Sequence, residues 1–193
     1  MENCEGSDES RGPDRTIGRV VVSAERIRLR VDELAEQIVK CYQGRELVVL
    51  AVMTGALVFL ADLIRRLPLM MRLTLVSASS YVGAATCSNG IKSIGEVCDS
   101  LAGKDVLIVD DILDSGHTLR AVIEQVSRRA PRSVRTCVLL RKVRDVADRP
   151  TVDFAGFDIQ DEFVVGYGLD HDNLYRNLPD VRILQCLNQG DRA

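Results

Sequence analysis

The chain has 193 residues, 46% of them hydrophobic and 27% charged, with a net charge of −3. That balance suits one globular α/β domain with enough material for a core. It argues against a nonspecific nucleic-acid binder, which needs clustered cations on phosphates. The longest apolar run, "ELVVLAVMTGALVFLADLIRRL", is broken by Thr54, Gly55 and Asp62, and reads as strand, turn and helix, not as a membrane span. Cys4, Cys41, Cys87, Cys98, Cys137 and Cys186 show no CxxC pair or zinc-like spacing. Free thiols in a reducing cytoplasm are the expectation, and no signal peptide is recognised.

In chain order, "MENCEGSDESRGPDRT" (residues 1–16) is polar and acid-rich and is expected to be a disordered arm. Then follow a strand "RVVVS", a helix over about 24–42, a strand "ELVVLAV", a helix over about 56–66 and a strand "MRLTLVSASS". A polar, Gly-containing loop spans roughly 82–99. Next come a strand and helix in "VLIVDDILDSGHTLRAVIEQVSRR", then strands "VRTCVLLR", "DEFVVGYG" and "VRILQ". Strands alternating with helices predict a mostly parallel central sheet with helices on both faces. No linker divides residues 17–193, so they are expected to form one domain.

The chemistry concentrates in "VLIVDDILDSGHTL", Val106 to Leu119. Val106–Val109 reads as a buried strand, while Leu119, Val122, Ile123 and Val126 have helical spacing. Asp110, Asp111 and Asp114 therefore sit at a strand-loop-helix junction, on the sheet edge where open α/β folds bind ligands. A solvated turn, capped by Asp114 or Ser115, is the plain reading. A phosphorelay receiver domain also places paired acids after a strand, but near its start, whereas here they lie mid-chain. A third reading uses every residue. Adjacent acids suit the two hydroxyls of a ribose and its Mg²⁺. The small loop Ser115, Gly116, His117 and Thr118 can wrap a phosphate at a helix N-terminus.

That stretch resembles the 5-phosphoribosyl-1-diphosphate (PRPP) signature of the type I phosphoribosyltransferase family. "AVMTGALVFLADL" resembles the diphosphate turn of its hypoxanthine(-guanine) branch, "SSYVGAATCSNG" the mobile Ser-Tyr loop, and "EFVVGYGLDHDNLYRNLPDV" the purine-binding hood. The four segments stand in the family's order, and the resemblance extends over nearly the whole chain from about Gly18. The resemblance implies the type I fold plus a small hood, built from the N-terminal strand region and about 150–193. It also implies transfer of phosphoribose from PRPP to hypoxanthine or guanine, giving IMP or GMP and diphosphate. The cofactor would be Mg²⁺, and the assembly a homodimer or homotetramer.

By the same resemblance, Asp110 and Asp111 hold the ribose hydroxyls, and Asp114 accepts the purine proton or bonds N7. Ser115, Gly116, His117 and Thr118 bind the 5′-phosphate, His117 through its backbone N–H. Met53, Thr54 and Gly55 form the diphosphate turn with a cis Met53–Thr54 peptide, and Arg176 contacts diphosphate. Asp170 is the Mg²⁺ ligand, with Asp110 and Asp111 as further candidates. Lys142 meets the purine 6-oxo group, although Arg141 and Arg144 compete for that register. Phe163 stacks on the base, Val164 offers backbone hydrogen bonds, and Ser80 and Tyr81 belong to the mobile loop. Plainer readings are a core aromatic for Phe163 and surface ion pairs for Asp170 and Arg176. The chain departs from the family at Thr54 (often lysine), Ser115 (usually threonine) and His171 (often tyrosine), and His171 is expected to be a solvated loop residue. The eight Lys and Arg of Arg128–Arg149 suggest a rival, a non-catalytic regulator of this fold that binds nucleic acid. Asp145, Asp148 and the negative net charge weigh against it.

Overall fold

The computed structural model describes residues 15–79, 93–94, 100–144 and 147–186. The expected arm up to Asp14, the Ser80–Tyr81 loop and Asp145 lie outside the described residues. Chain order is β1 (Arg15–Val22), α1 (Ala24–Tyr42), β2 (Leu47–Met53), α2 (Leu57–Ile64), β3 (Met71–Ser79), β4 (Ser93–Ile94), β5 (Asp105–Leu113), α3 (His117–Ser127), β6 (Ser133–Lys142), β7 (Phe154–Ile159), β8 (Val164–Val165) and β9 (Val181–Cys186). Six strands form the central sheet in the order β4-β3-β2-β5-β6-β7, and β1-β9-β8 form a second, antiparallel sheet. Within the central sheet β3, β2, β5, β6 and β7 are all parallel, and only β4 runs against its neighbour.

The inner strands β2, β5 and β6 carry continuous apolar runs because both of their faces are covered, whereas β3 leaves Leu73 and Leu75 about half exposed. On β2 and β5, Val49, Ala51, Leu107 and Val109 face a core completed by Ile27, Val31, Leu34 and Ile38 of α1 and Phe59 and Leu63 of α2. Their neighbours Val48, Leu50, Val52, Val106 and Ile108 face the other core, with Leu119, Val122 and Val126 of α3. The pairing Val49↔Leu107 and Leu50↔Ile108 keeps these two sets in register. Helices on both faces of a mostly parallel sheet are therefore found as predicted.

Three boundaries differ from the sequence reading. β1 begins at Arg15, inside the stretch assigned to the arm. β7 was not foreseen, and because it pairs with β6 it belongs to the central sheet and not to the hood. Its sequence, FAGFDI, carries an interior glycine and few β-branched residues, so it gives a weak strand signal. Gly156 is nevertheless required, since a Cβ there would lie 2.3 Å from the Leu139 carbonyl oxygen. Finally, "DEFVVGYG" is strand only at Val164–Val165. Gly166, Tyr167 and Gly168 all have positive φ, which turns the chain out of the sheet.

Candidate active site

The carboxyl ends of β2, β5 and β6 open into one cleft of about 1010 Å³. It is lined by Met53, Thr54 and Gly55, by Asp110, Asp111 and Asp114–Thr118, by Lys142, Phe163 and Val164, and by Asp170 and Arg176. Every site candidate among the described residues thus converges there, although they span more than 120 positions of sequence.

β5 carries Asp110 and Asp111 to the cleft floor. The Asp111 backbone N–H donates to Asp110 Oδ1 at 3.0 Å, and the Ile112 N–H donates to Asp111 Oδ1 at 2.7 Å. Burial pushes the Asp111 carboxyl above the usual carboxylate range. The chain then turns through Ser115 and Gly116 into α3. Gly116 is left-handed (φ 83°), and a Cβ on it would meet Pro150 Cδ at 2.6 Å. A glycine-turned loop opening a helix points backbone N–H groups and the positive helix end at one place, which favours an anion.

Across the cleft, the Met53–Thr54 peptide at the end of β2 is cis. Gly55 follows it and lies directly against Asp111, where a Cβ would sit 1.7 Å from Oδ2. Gly168 lies close to the same turn, where a Cβ on it would sit 2.4 Å from the Gly55 carbonyl oxygen. Two backbone turns and one carboxylate are therefore packed without room for a methyl group.

At the end of β6, Lys142 enters the cleft and its side chain is only 10% exposed. Its Nζ lies 3.1 Å from Asp114 Oδ2 and 3.2 Å from Asp161 Oδ1. Arg144 ion-pairs with the same two acids, on Asp114 Oδ1 and, at 2.6 Å, on Asp161 Oδ2. For Asp114, partial burial acts to raise the carboxyl pKa, but the hydrogen bonds and charges of Lys142 and Arg144 prevail and hold it below the usual range. Arg141 instead pairs with Asp158 at 2.6 and 2.9 Å and does not line the cleft. The Lys142 register is therefore the one that faces the cavity.

The turn after β8 supplies the remaining wall. Asp170 accepts from the Asn173 N–H at 2.8 Å and pairs with Arg176 Nη2 at 2.8 Å. The expectation of a solvated loop histidine at 171 is corrected. His171 lines the cleft with its side chain 22% exposed, and its ring meets Phe163 edge-on at 5.2 Å. Sequence reasoning also missed Asp161, which carries no local signal, and used Arg144 only as a rival register. The basic run is dispersed: Arg132 pairs with Asp105, Arg141 with Asp158, and Arg149 donates to the carbonyls of Lys142 and Leu113.

Among the described residues no three His, Cys, Asp or Glu side chains gather as a metal cage. Separated acids facing a cleft suit Mg²⁺, which typically uses one or two carboxylates together with substrate phosphates and water. No helix among them is long and apolar enough to cross a membrane.

The profile of the phosphoribosyl transferase domain family matches residues 21–172. The chain is 41% identical over 175 residues to a hypoxanthine-guanine phosphoribosyltransferase of Mycobacterium bovis, covering 87% of this chain and 86% of that one. It is 41% identical over 173 residues to a hypoxanthine phosphoribosyltransferase of Salmonella typhimurium, covering 88% and 97%. A crystal structure of a hypoxanthine-guanine phosphoribosyltransferase from Bacillus anthracis superposes with a TM-score of 0.80 at 35% identity, covering 89% of this chain and all of that one.

Proposed function

This chain belongs to the phosphoribosyltransferase family, in its hypoxanthine(-guanine) branch, and from that premise we infer how its cleft works. It is a purine-salvage enzyme that transfers the 5-phosphoribosyl group of PRPP to hypoxanthine or guanine, releasing diphosphate. The non-catalytic regulator is not favoured. The observation that carries the residue assignments is the convergence of the β5 acids, the glycine-turned anion loop and Lys142 with Phe163 on one cavity.

In this reaction the purine nitrogen forms a bond to ribose C1 as the C1–O bond to diphosphate breaks, and the purine gives up a proton. Positive charge grows on the ribose ring, so nearby carboxylates stabilise the transition state. We assign Asp110 and Asp111 to the ribose hydroxyls. Ser115 to Thr118 take the 5′-phosphate through hydroxyls and backbone N–H groups. Asp114 accepts the purine proton or a hydrogen bond from N7, and its depressed pKa keeps it ionised at neutral pH. Lys142 donates to the 6-oxo group, Phe163 stacks on the base, and Val164 offers its backbone. Met53, Thr54 and Gly55 present backbone to the diphosphate, with Arg176 as its cation.

Mg²⁺ is assigned to Asp170, with Asp110 and Asp111 as further donors, and would neutralise charge on the leaving diphosphate. Asp170 and Arg176 are paired at 2.8 Å, which keeps the metal-binding acid and the diphosphate cation on the same wall of the cleft. A homodimer or homotetramer is supported by Leu57, Leu73 and Leu75, apolar side chains about half exposed on α2 and β3. The assignments are tested by steady-state rates with hypoxanthine, guanine, xanthine and adenine at saturating PRPP. Turnover of 6-oxopurines with little or none of adenine supports them, and equal use of adenine refutes the Lys142 role.

A further inference from the structure

Four charges close a ring beside the cleft, whose wall includes two of them, Asp114 and Lys142. Lys142 and Arg144 each bridge Asp114 and Asp161, and between them they occupy both oxygens of both carboxylates. The four residues come from three segments: the β5–α3 turn, the end of β6, and the turn between β7 and β8. Phe163 and Val164 follow Asp161 by two and three positions. The ring is electrically neutral, with two cations and two anions.

Resting on the functional reading above, we propose that Arg144 is a positioning residue, the counter-cation that stays on Asp114 and Asp161 so that Lys142 is free to turn to the purine. Lys142 cannot leave two half-buried carboxylates without some other charge holding them, because like charges brought close in a partly desolvated site repel. Arg144 meets that need. Its planar fork reaches one oxygen of each acid, a two-acceptor geometry that guanidinium serves better than ammonium. Without Arg144, two carboxylates would compete for one ammonium and hold Lys142 away from the 6-oxo group. The penalty then falls on capture of the base. PRPP, bound by the β5 acids and the anion loop, is little affected.

The decisive test is a comparison of steady-state constants for Arg144→Ala, Arg144→Lys and the double variant Arg144→Ala/Asp161→Asn. Arg144→Ala should raise KM for hypoxanthine about tenfold and leave KM for PRPP within about twofold, a size usual for coupled charges. Arg144→Lys should keep most of the wild-type KM. The double variant removes the surplus carboxylate and should recover to within about threefold of wild type, whereas two independent structural losses would add. A double variant as impaired as Arg144→Ala, or an Arg144→Ala enzyme with unchanged or equally raised constants for both substrates, overturns the proposal. If Arg144→Ala does not fold, Arg144→Gln against Arg144→Lys makes the same comparison. A wild type that does not turn over hypoxanthine refutes the functional reading as well, while an active wild type with an unmoved Arg144→Ala refutes this inference alone.

Discussion

Replacing Gly55 by alanine probes the contact on which the floor of the cleft is built. The added methyl would lie 1.7 Å from Asp111 Oδ2 and 2.6 Å from its Cγ. Gly168 lies close to the Gly55 carbonyl, which limits how far the turn can shift. Asp111 must therefore move, by more than about 1 Å if it is to reach ordinary contact distance in a close-packed site. A shift of that size in a group that orients substrate costs on the order of 10²-fold in rate. We expect kcat/KM for PRPP to fall by about that factor, while overpacking lowers Tm by roughly 3–10 °C. Gly44→Ala is the control. Gly44 has φ 73° with nothing within 4 Å of a hypothetical Cβ, so the strain there should reduce Tm modestly and leave kcat/KM alone. Initial rates of IMP formation at varied PRPP, with melting curves of both variants, make the comparison. A Gly55→Ala enzyme with wild-type kcat/KM would refute the assignment of Asp111 to the ribose.

Asp114→Asn should lower kcat by about 10²-fold or more with little change in PRPP affinity, as for loss of a general base; near-normal turnover sinks that role. Lys142→Ala should raise KM for hypoxanthine and narrow its kcat/KM advantage over adenine, which we expect to be on the order of 10²-fold or greater in the wild type. A ratio unmoved by Lys142→Ala would shift selectivity to the backbone around Val164. Stability should decline at acid pH, because Arg132 holds the Asp105 carboxyl below its usual pKa, as Arg141 does for Asp158 and Arg182 for Asp180. A pKa depressed by folding stabilises the native state above the unfolded value and is lost as pH falls through it. Tm should therefore be level near neutrality and drop below about pH 4, and a Tm still level at about pH 3 would count against those pairs.

Much of the architecture was legible because the inner strands β2, β5 and β6 are apolar on both faces and one of them, β5, ends in acids. Val106–Val109 running into Asp110 and Asp111 marks both a buried strand and its functional edge. β7 was not legible, because what makes it a strand is the approach of Gly156 to Leu139, a contact between segments and not a local pattern. Adjacent residues on β6 face opposite ways, so sequence could not separate Lys142 from Arg141; pairing of Arg141 with Asp158 on the neighbouring strand does so. The edge-on contact of His171 with Phe163 likewise depends on where the chain turns at Gly166 and Gly168. Positive φ at Tyr167, between those glycines, cut short a strand that hydropathy alone would have continued.

The most direct measurement follows the products of one mixture: this protein, PRPP, hypoxanthine and Mg²⁺, read by phosphorus NMR and chromatography. Equimolar IMP and diphosphate, with neither formed when hypoxanthine is withheld, is the expected result. Absence of IMP, or release of diphosphate without a nucleotide product, would contradict the assignment of this cleft to phosphoribosyl transfer.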